Sequence, residues 1–259
     1  MNRAGLTRPL LRALETAQDQ GFFTRLQQLY QELPETTCQR RQDCCGLLPP
    51  LLPVEMGWWL AGQRANTAKE RAGAARRLLE HFLCNAARRL PCPWSRRDAC
   101  AIYPRRFLGC RTYGLWSPRA YAQRQAAAGD AQGQVQAAWA GLGVTLPAAV
   151  TAPGPAYCGR VQVAAGPAPS DAELEALEQR ALDLGQDMPG AEMLAPWGGD
   201  LAYAVAALIL GRQPALALKV AVTKHLLAGQ EAEADELLAR ARDRARDWAR
   251  DWARSWPVA

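Results

Sequence analysis

The sequence predicts a mainly α fold in which an irregular cysteine-rich core is framed by helices and followed by a C-terminal helical-hairpin region. Three observations predict it. Ala, Leu, Arg and Gln are plentiful and β-branched residues scarce, a balance that favours helix over strand. Apolar residues recur at three- and four-residue steps through most of the chain. Two short segments without that period, 38–45 and 92–111, hold six of the eight cysteines.

The elements follow in order. Over residues 8–32, Leu10, Leu11 and Leu14 make one helical face, and Phe22, Phe23, Leu26, Leu29 and Tyr30 make a second. Gly21 falls between them, so the span is either one kinked helix or two shorter ones, and Pro34 ends it. Pro53 suits the first turn of a short helix carrying Glu55, Trp58, Trp59 and Leu60. Residues 67–90 carry one apolar stripe through Ala75, Leu78, Leu79, Phe82, Leu83, Ala86 and Leu90, and Pro91 stops that helix. A weakly amphipathic, Ala/Gln-rich helix is expected over 119–140. From Gly141 to Pro169 the composition turns to Gly, Pro, Ala, Val and Thr, as in a linker or covering loop. Ser170 with Glu173 forms a capping box that opens a helix over 170–186. Further helices are expected near 199–211, 214–228 and 230–255, punctuated by Pro214 and Gly229. The chain is expected to divide into a cysteine-cluster metal-binding domain with N-terminal helices over 1–125, a linker or covering loop over 126–169 and a C-terminal helical domain over 170–259.

Composition narrows the function classes. The net charge is +6 and comes mostly from scattered arginine, without the dense basic block of a nucleic-acid binder. The first residues lack the uninterrupted apolar stretch and small-residue cleavage site of a signal peptide. The longest apolar run, Leu201 to Leu210, is about half a bilayer crossing. These features predict a soluble cytoplasmic protein that engages neither nucleic acid nor membrane. In a reducing compartment, eight cysteines point to metal or redox chemistry rather than a disulfide framework. There is no GxGxxG or GxxxxGK[ST] loop, and only two histidines, so His-based acid/base catalysis is not expected.

The cysteines fall into two segments. Cys38, Cys44 and Cys45 form the first, and Cys92, Cys100 and Cys110 the second. Thiolates so clustered suit zinc or an iron–sulfur cluster. The vicinal pair Cys44–Cys45 cannot easily place both sulfurs on one small ion, so it supplies one ligand and one neighbouring thiol. Four ligands complete a tetrahedral zinc site or a [4Fe–4S] cubane, and six candidates leave a surplus. That surplus and the scarcity of His favour iron–sulfur, while zinc is the commoner structural choice. Cys84 sits opposite the apolar stripe of its helix, as an inert thiol, a thiol facing the metal or a reactive one. Cys158, in the 141–169 stretch, reads equally as a further ligand or a spare thiol. His81 and His225 read as ordinary helix residues. Glu55 is a ligand, an acceptor beside the ligands or, by default, a first-turn helix residue.

The two segments resemble the YkgJ-type cysteine-cluster family, described as a zinc- or iron-chelating domain. The family pattern runs C-x2-C-x2-C-C, then an acidic residue, then a later C-x(6–8)-C-x-I-Y-x-x-R-P-x-x-C-R. This chain matches it at Cys38, Cys44 and Cys45, at Glu55, and at Cys92, Cys100, Ile102, Tyr103, Arg106, Cys110 and Arg111. It departs at Arg41, where the family has a cysteine, and at Phe107, where the family has proline. The first departure removes a thiolate; the second is expected to alter local backbone geometry. The resemblance covers about residues 35–115 and implies metal chelation. Some relatives resemble iron–sulfur flagellin lysine methylases that use S-adenosylmethionine, but no CxxxCxxC triplet is present here.

Tyr103, Arg105, Arg106 and Arg111 are placed to donate to cluster sulfurs or bind an anionic cofactor, or else to pack and cap the cysteine loop. Near the C-terminus, Trp248, Trp252 and Trp256 repeat on one helix face. Such a stripe packs on the protein's own helices or docks a partner protein. The reading is a metal-binding cysteine-cluster protein serving redox chemistry, maturation or post-translational modification of a partner. The alternative is a non-catalytic adaptor with a structural zinc knot and a C-terminal helical binding surface.

Overall fold

The computed structural model describes residues 3–37, 46–96, 100–152 and 154–256. They are 67% helix, with twelve α-helices and one two-stranded sheet among them. The helices are α1 (Arg3–Asp19), α2 (Phe22–Gln31), α3 (Pro53–Gly62), α4 (Ala68–Cys84), α5 (Leu108–Thr112), α6 (Pro118–Gly141), α7 (Ala148–Thr151), α8 (Asp171–Gln186), α9 (Ala191–Leu194), α10 (Leu201–Leu210), α11 (Arg212–Leu227) and α12 (Glu231–Arg254). The strands are β1 (Thr36–Thr37) and β2 (Gln162–Val163), paired antiparallel. The mainly α expectation holds, and Gly21 does separate two helices.

The chain divides into two compact units, each drawn from separated stretches. Unit 1 comprises 1–27, 50–85 and 181–259, and unit 2 comprises 28–49 and 86–180. The division is interleaved along the chain. Composition records where loops and helices fall, not which of them pack together.

Unit 1 is built around α4, which packs on α10, α11 and α12. Thr67 caps α4: its Oγ1 accepts from the Glu70 amide at 3.2 Å, and Glu70 Oε2 accepts from the Thr67 amide at 2.8 Å. The helix ends at Cys84, six residues earlier than its apolar period suggests, with Asn85, a poor helix former, as its cap. Leu78, Leu79, Phe82 and Leu83 are buried along it, as are most of the Leu201–Leu210 residues of α10. The apolar run at 201–210 is thus a core helix. Among the described residues no single helix is long and apolar enough to cross a membrane.

Buried Arg71 ties this unit together. Its guanidinium donates to the carbonyls of Ala249 on α12 (2.9 Å), Gln63 (3.1 Å) and Asn66. Arg242 on α12 donates to Glu80 on α4 at 2.5 Å. A second close approach needs glycine. The Leu51 amide donates to the Gly199 carbonyl at 2.8 Å, and Gly199 has φ +77°. A Cβ there would lie 2.8 Å from the Leu51 carbonyl oxygen.

Trp248, Trp252 and Trp256 are buried in this unit, Trp252 to 1% exposure. Their rings form a ladder with centroids 4.9 and 6.3 Å apart. Of the two readings of the stripe, packing on the protein's own helices is the one realised. The exposed face of α12 carries Arg240–Glu236, Arg246–Asp243 and Arg250–Asp247 pairs instead.

Unit 2 has a small core of Leu115, Trp116, Ala120 and Leu174, packed with Leu33, Tyr121, Val161 and Val163. The start of α6 is joined to the start of α8 through Ser117, whose amide and hydroxyl donate to Asp171 at 2.8 and 2.6 Å. The Ser170–Glu173 capping box at α8 is formed as expected. The 141–169 stretch is not a free linker: it contains α7, and its β2 pairs with β1 through Thr36↔Val163 and Thr37↔Gln162.

Candidate metal centre

Residues 92–96 and 100–111 lie in unit 2, and 97–99 are outside the described residues. Cys92 opens the stretch, and its carbonyl accepts from the Ser95 amide at 2.9 Å. Ser95 and Cys100 pair as an antiparallel bridge, and the Ala101 amide donates to the Trp94 carbonyl at 2.9 Å. This small hairpin sets Cys92 and Cys100 on its two arms. The chain then makes a single 3-10 turn over Tyr103–Arg105, whose Tyr103 amide donates to the Cys100 carbonyl at 3.1 Å. It enters α5 through Phe107, and Cys110 lies within that helix with its amide donating to Phe107 at 2.9 Å.

Phe107 does more than the change of backbone geometry expected from its replacing a proline. It is buried to 1% exposure against Trp94, with ring centroids 5.4 Å apart. That contact closes the base of the loop, between the hairpin bearing Cys92 and Cys100 and the helix bearing Cys110. An apolar residue in a polar, proline-rich stretch was the available signal, and periodicity could not interpret a single position.

The three cofactor-binding candidates are occupied with the loop itself. Arg111 Nε donates to the Arg106 carbonyl at 2.7 Å and an Nη to the Pro104 carbonyl at 2.8 Å. Its guanidinium also lies 4.5 Å from the Tyr30 ring centroid. Arg106 stacks on Tyr103 at 3.9 Å and donates to its carbonyl at 3.2 Å. Arg111 thereby folds the chain between Cys100 and Cys110 onto α5, the packing and capping role. Arg105 is exposed.

Cys158 proves to be held in this unit from several sides. The Tyr113 hydroxyl donates to the Ala156 carbonyl at 2.5 Å, and the Tyr121 hydroxyl donates to Pro155. Burial pushes the Tyr121 phenol above its ordinary range, and the nearby Cys158 thiol adds to that rise. Gly114, just beyond α5, has φ +84°. A Cβ on it would lie 2.5 Å from Val161 Cγ2 and 3.3 Å from the Cys158 carbonyl oxygen. The 158–161 backbone therefore lies directly on the end of the helix that carries Cys110. One turn further, β2 holds Thr37, the last described residue before the first cysteine segment. Cys38, Cys44 and Cys45 themselves lie outside the described residues.

The remaining candidates belong to unit 1. Glu55 is buried and caps α3, accepting from the Leu52 amide at 3.0 Å, which is its first-turn reading. His81 is buried on α4, and His225 Nδ1 is 2.8 Å from Gln230 Oε1. Cys84 is half-buried at the end of α4.

Cys84, Cys92, Cys100, Cys110 and Cys158 are not joined in disulfides. Among the described residues no three His, Cys, Asp or Glu side chains gather closely enough to hold a metal ion. The described thiols alone therefore do not fit a complete site, and any centre needs the 38–45 segment. Comparisons with protein-family models, with curated proteins and with solved structures find no match.

Proposed function

We propose that this protein is a cysteine-cluster metal protein whose centre is an iron–sulfur cluster or zinc, drawn from Cys38, Cys44, Cys45, Cys92, Cys100 and Cys110. The centre serves redox chemistry, maturation or post-translational modification of a partner protein. The reading rests on the cysteine spacing and on its resemblance to the YkgJ-type family. The structural observation that supports it is the Arg111-braced stretch that carries Cys100 and Cys110 in one unit. β1 starts the first cysteine segment from the same unit. Soft thiolate ligands supply electron transfer when they hold iron and sulfide, and rigidity when they hold zinc.

The test is metal and sulfide analysis with a visible spectrum on protein purified without oxygen. Iron with sulfide and a broad band near roughly 400 nm supports the redox or modification role. Adding S-adenosylmethionine then asks whether the cofactor perturbs the band. One equivalent of colourless zinc supports the adaptor reading, with partner contacts through exposed surface rather than through the buried tryptophans. Absence of metal with all thiols freely titratable overturns both.

A further inference from the structure

The arginines are not spread evenly along the chain. Residues 86–165 hold ten arginines, two aspartates and no lysine, a net charge of +8. The whole chain carries +6, so the rest of it sums to −2. Within unit 2 the fold brings four of these arginines around α5. Arg105 is exposed just before that helix. Arg119 is exposed on the first turn of α6, where the helix dipole disfavours a cation. Arg160 is exposed beside Val161, the residue that meets Gly114 at the end of α5. Arg89 completes the group. A Cβ on Gly46 would lie 3.8 Å from Arg89 Nη2, and one on Gly109 of α5 would lie 3.2 Å from Pro49, so residues 46–49 run between Arg89 and α5. A five-residue helix is only about 7.5 Å long, so four guanidiniums are anchored round one short element.

None of the four meets a carboxylate among the described residues, whereas Arg124 and Arg180 of the same unit and Arg240, Arg246 and Arg250 of α12 are all paired. The carboxylates of α8 are largely spent: Asp171 on Ser117, Glu173 on Ser170 and Glu178 on Arg124. Glu35, Asp130 and Glu175 stay exposed, one each before β1, on α6 and on α8. Guanidinium forks take the oxygens of carboxylates or phosphates two at a time. A single-stranded nucleic acid would also stack its bases on open rings. Here the rings beside the cations are already engaged: Arg106 lies over Tyr103 at 3.9 Å, Arg111 over Tyr30 at 4.5 Å and Arg124 over Trp116 at 3.8 Å. The surface therefore suits carboxylates.

We propose that Arg89, Arg105, Arg119 and Arg160 form a docking surface for an acidic segment of a partner protein. This gives the chemistry of the partner in the function proposed above; it rests on that reading for the existence of a partner protein, and not on the metal. Arg105 lies between Cys100 and Cys110, so docking sets the acidic segment beside the candidate ligands. Several exposed pairs, each weak, make such a complex quick to form and sensitive to salt.

The test uses the native full-length protein and a fluorescein-labelled ten-residue glutamate peptide, followed by fluorescence anisotropy, with metal content measured on the same sample. Binding is expected in about 50 mM salt and should weaken at least ~10-fold in about 300 mM. Arg105→Gln and Arg160→Gln should each weaken it ~2–5-fold, as loss of an exposed ion pair does, and the two together about 10-fold. Arg240→Gln, on α12, should leave it unchanged. Absence of binding, an equal loss in Arg240→Gln, or tighter binding of a ten-nucleotide uridine strand overturns the proposal. The two readings fail separately: a metal-free sample that binds the peptide supports the docking surface while the metal centre falls, and a metal-loaded sample that ignores the peptide overturns the docking surface alone.

Discussion

The two units reach order by different means. Unit 1 buries long apolar helices against one another, and its polar ties, such as Arg71 to the Ala249 carbonyl, are added to an extensive core. Unit 2 has a small apolar cluster, short helices and a two-residue strand pair. Much of its loop structure is held by side chains grasping backbone carbonyls: Arg111 on Pro104 and Arg106, Tyr113 on Ala156, Tyr121 on Pro155. Apolar burial contributes roughly 25 cal/mol per Å², whereas a single such hydrogen bond nets about 1 kcal/mol. The comparison teaches that unit 2, which carries the candidate thiols, is where a bound metal would add most to stability.

If the proposed metal centre is present, stripping it should give the largest effect. Structural zinc sites contribute on the order of 10 kcal/mol. A chelator should therefore abolish hydrogen-exchange protection in residues 92–115 and leave α4, α10 and α12 protected. Equal loss in both units would break the comparison. Next is Trp252→Ala, which empties a buried site in unit 1 and should cost ~3–5 kcal/mol in denaturant unfolding, with unit 2 protection unchanged.

Gly114→Ala is the converse experiment. Positive φ and the contact with Val161 should cost about 2 kcal/mol, confined to unit 2, and should loosen the segment bearing Cys158. Arg111→Lys removes the forked donation to two carbonyls and should cost ~1 kcal/mol. It should also raise the alkylation rate of Cys100 and Cys110.

The smallest effect is a pH dependence. The hydroxyl and amide of Ser117 hold the Asp171 carboxyl below its ordinary range. An acid so depressed contributes stability above the ordinary carboxylate value, and that contribution is lost as pH falls through the lowered one. Ser117→Ala should therefore flatten the acid limb of unit 2 unfolding below about pH 4. An unchanged limb would mean that this junction carries no acid sensitivity.

Most of the helices were legible, because Leu10–Leu14, Leu78–Leu83 and the Ser170–Glu173 box write their structure locally. The β1–β2 pair was not: two residues at 36 and two at 162 carry no periodic signal, and their pairing depends on the whole of unit 2. Within the candidate site, spacing picked out the Cys92–Arg111 loop, and the place of Arg111 directly after Cys110 suggested a role for it. Neither could show that its donors are spent on Pro104 and Arg106, since carbonyls are everywhere in a sequence. The placement of Cys158 hangs on Gly114 and on two tyrosine hydroxyls more than thirty residues away.

The interleaving has a consequence for the order in which this chain can be made. The apolar stripe of α4 is synthesised at residues 68–84, but Trp248 and Trp252 of α12 come only at the far end. At about 5–20 residues per second, Leu78, Leu79, Phe82 and Leu83 wait on the order of ten to thirty seconds for that partner. Unit 2, whose last residue is Arg180, has its full complement sooner. The nascent chain therefore exposes an apolar ridge through much of its own translation.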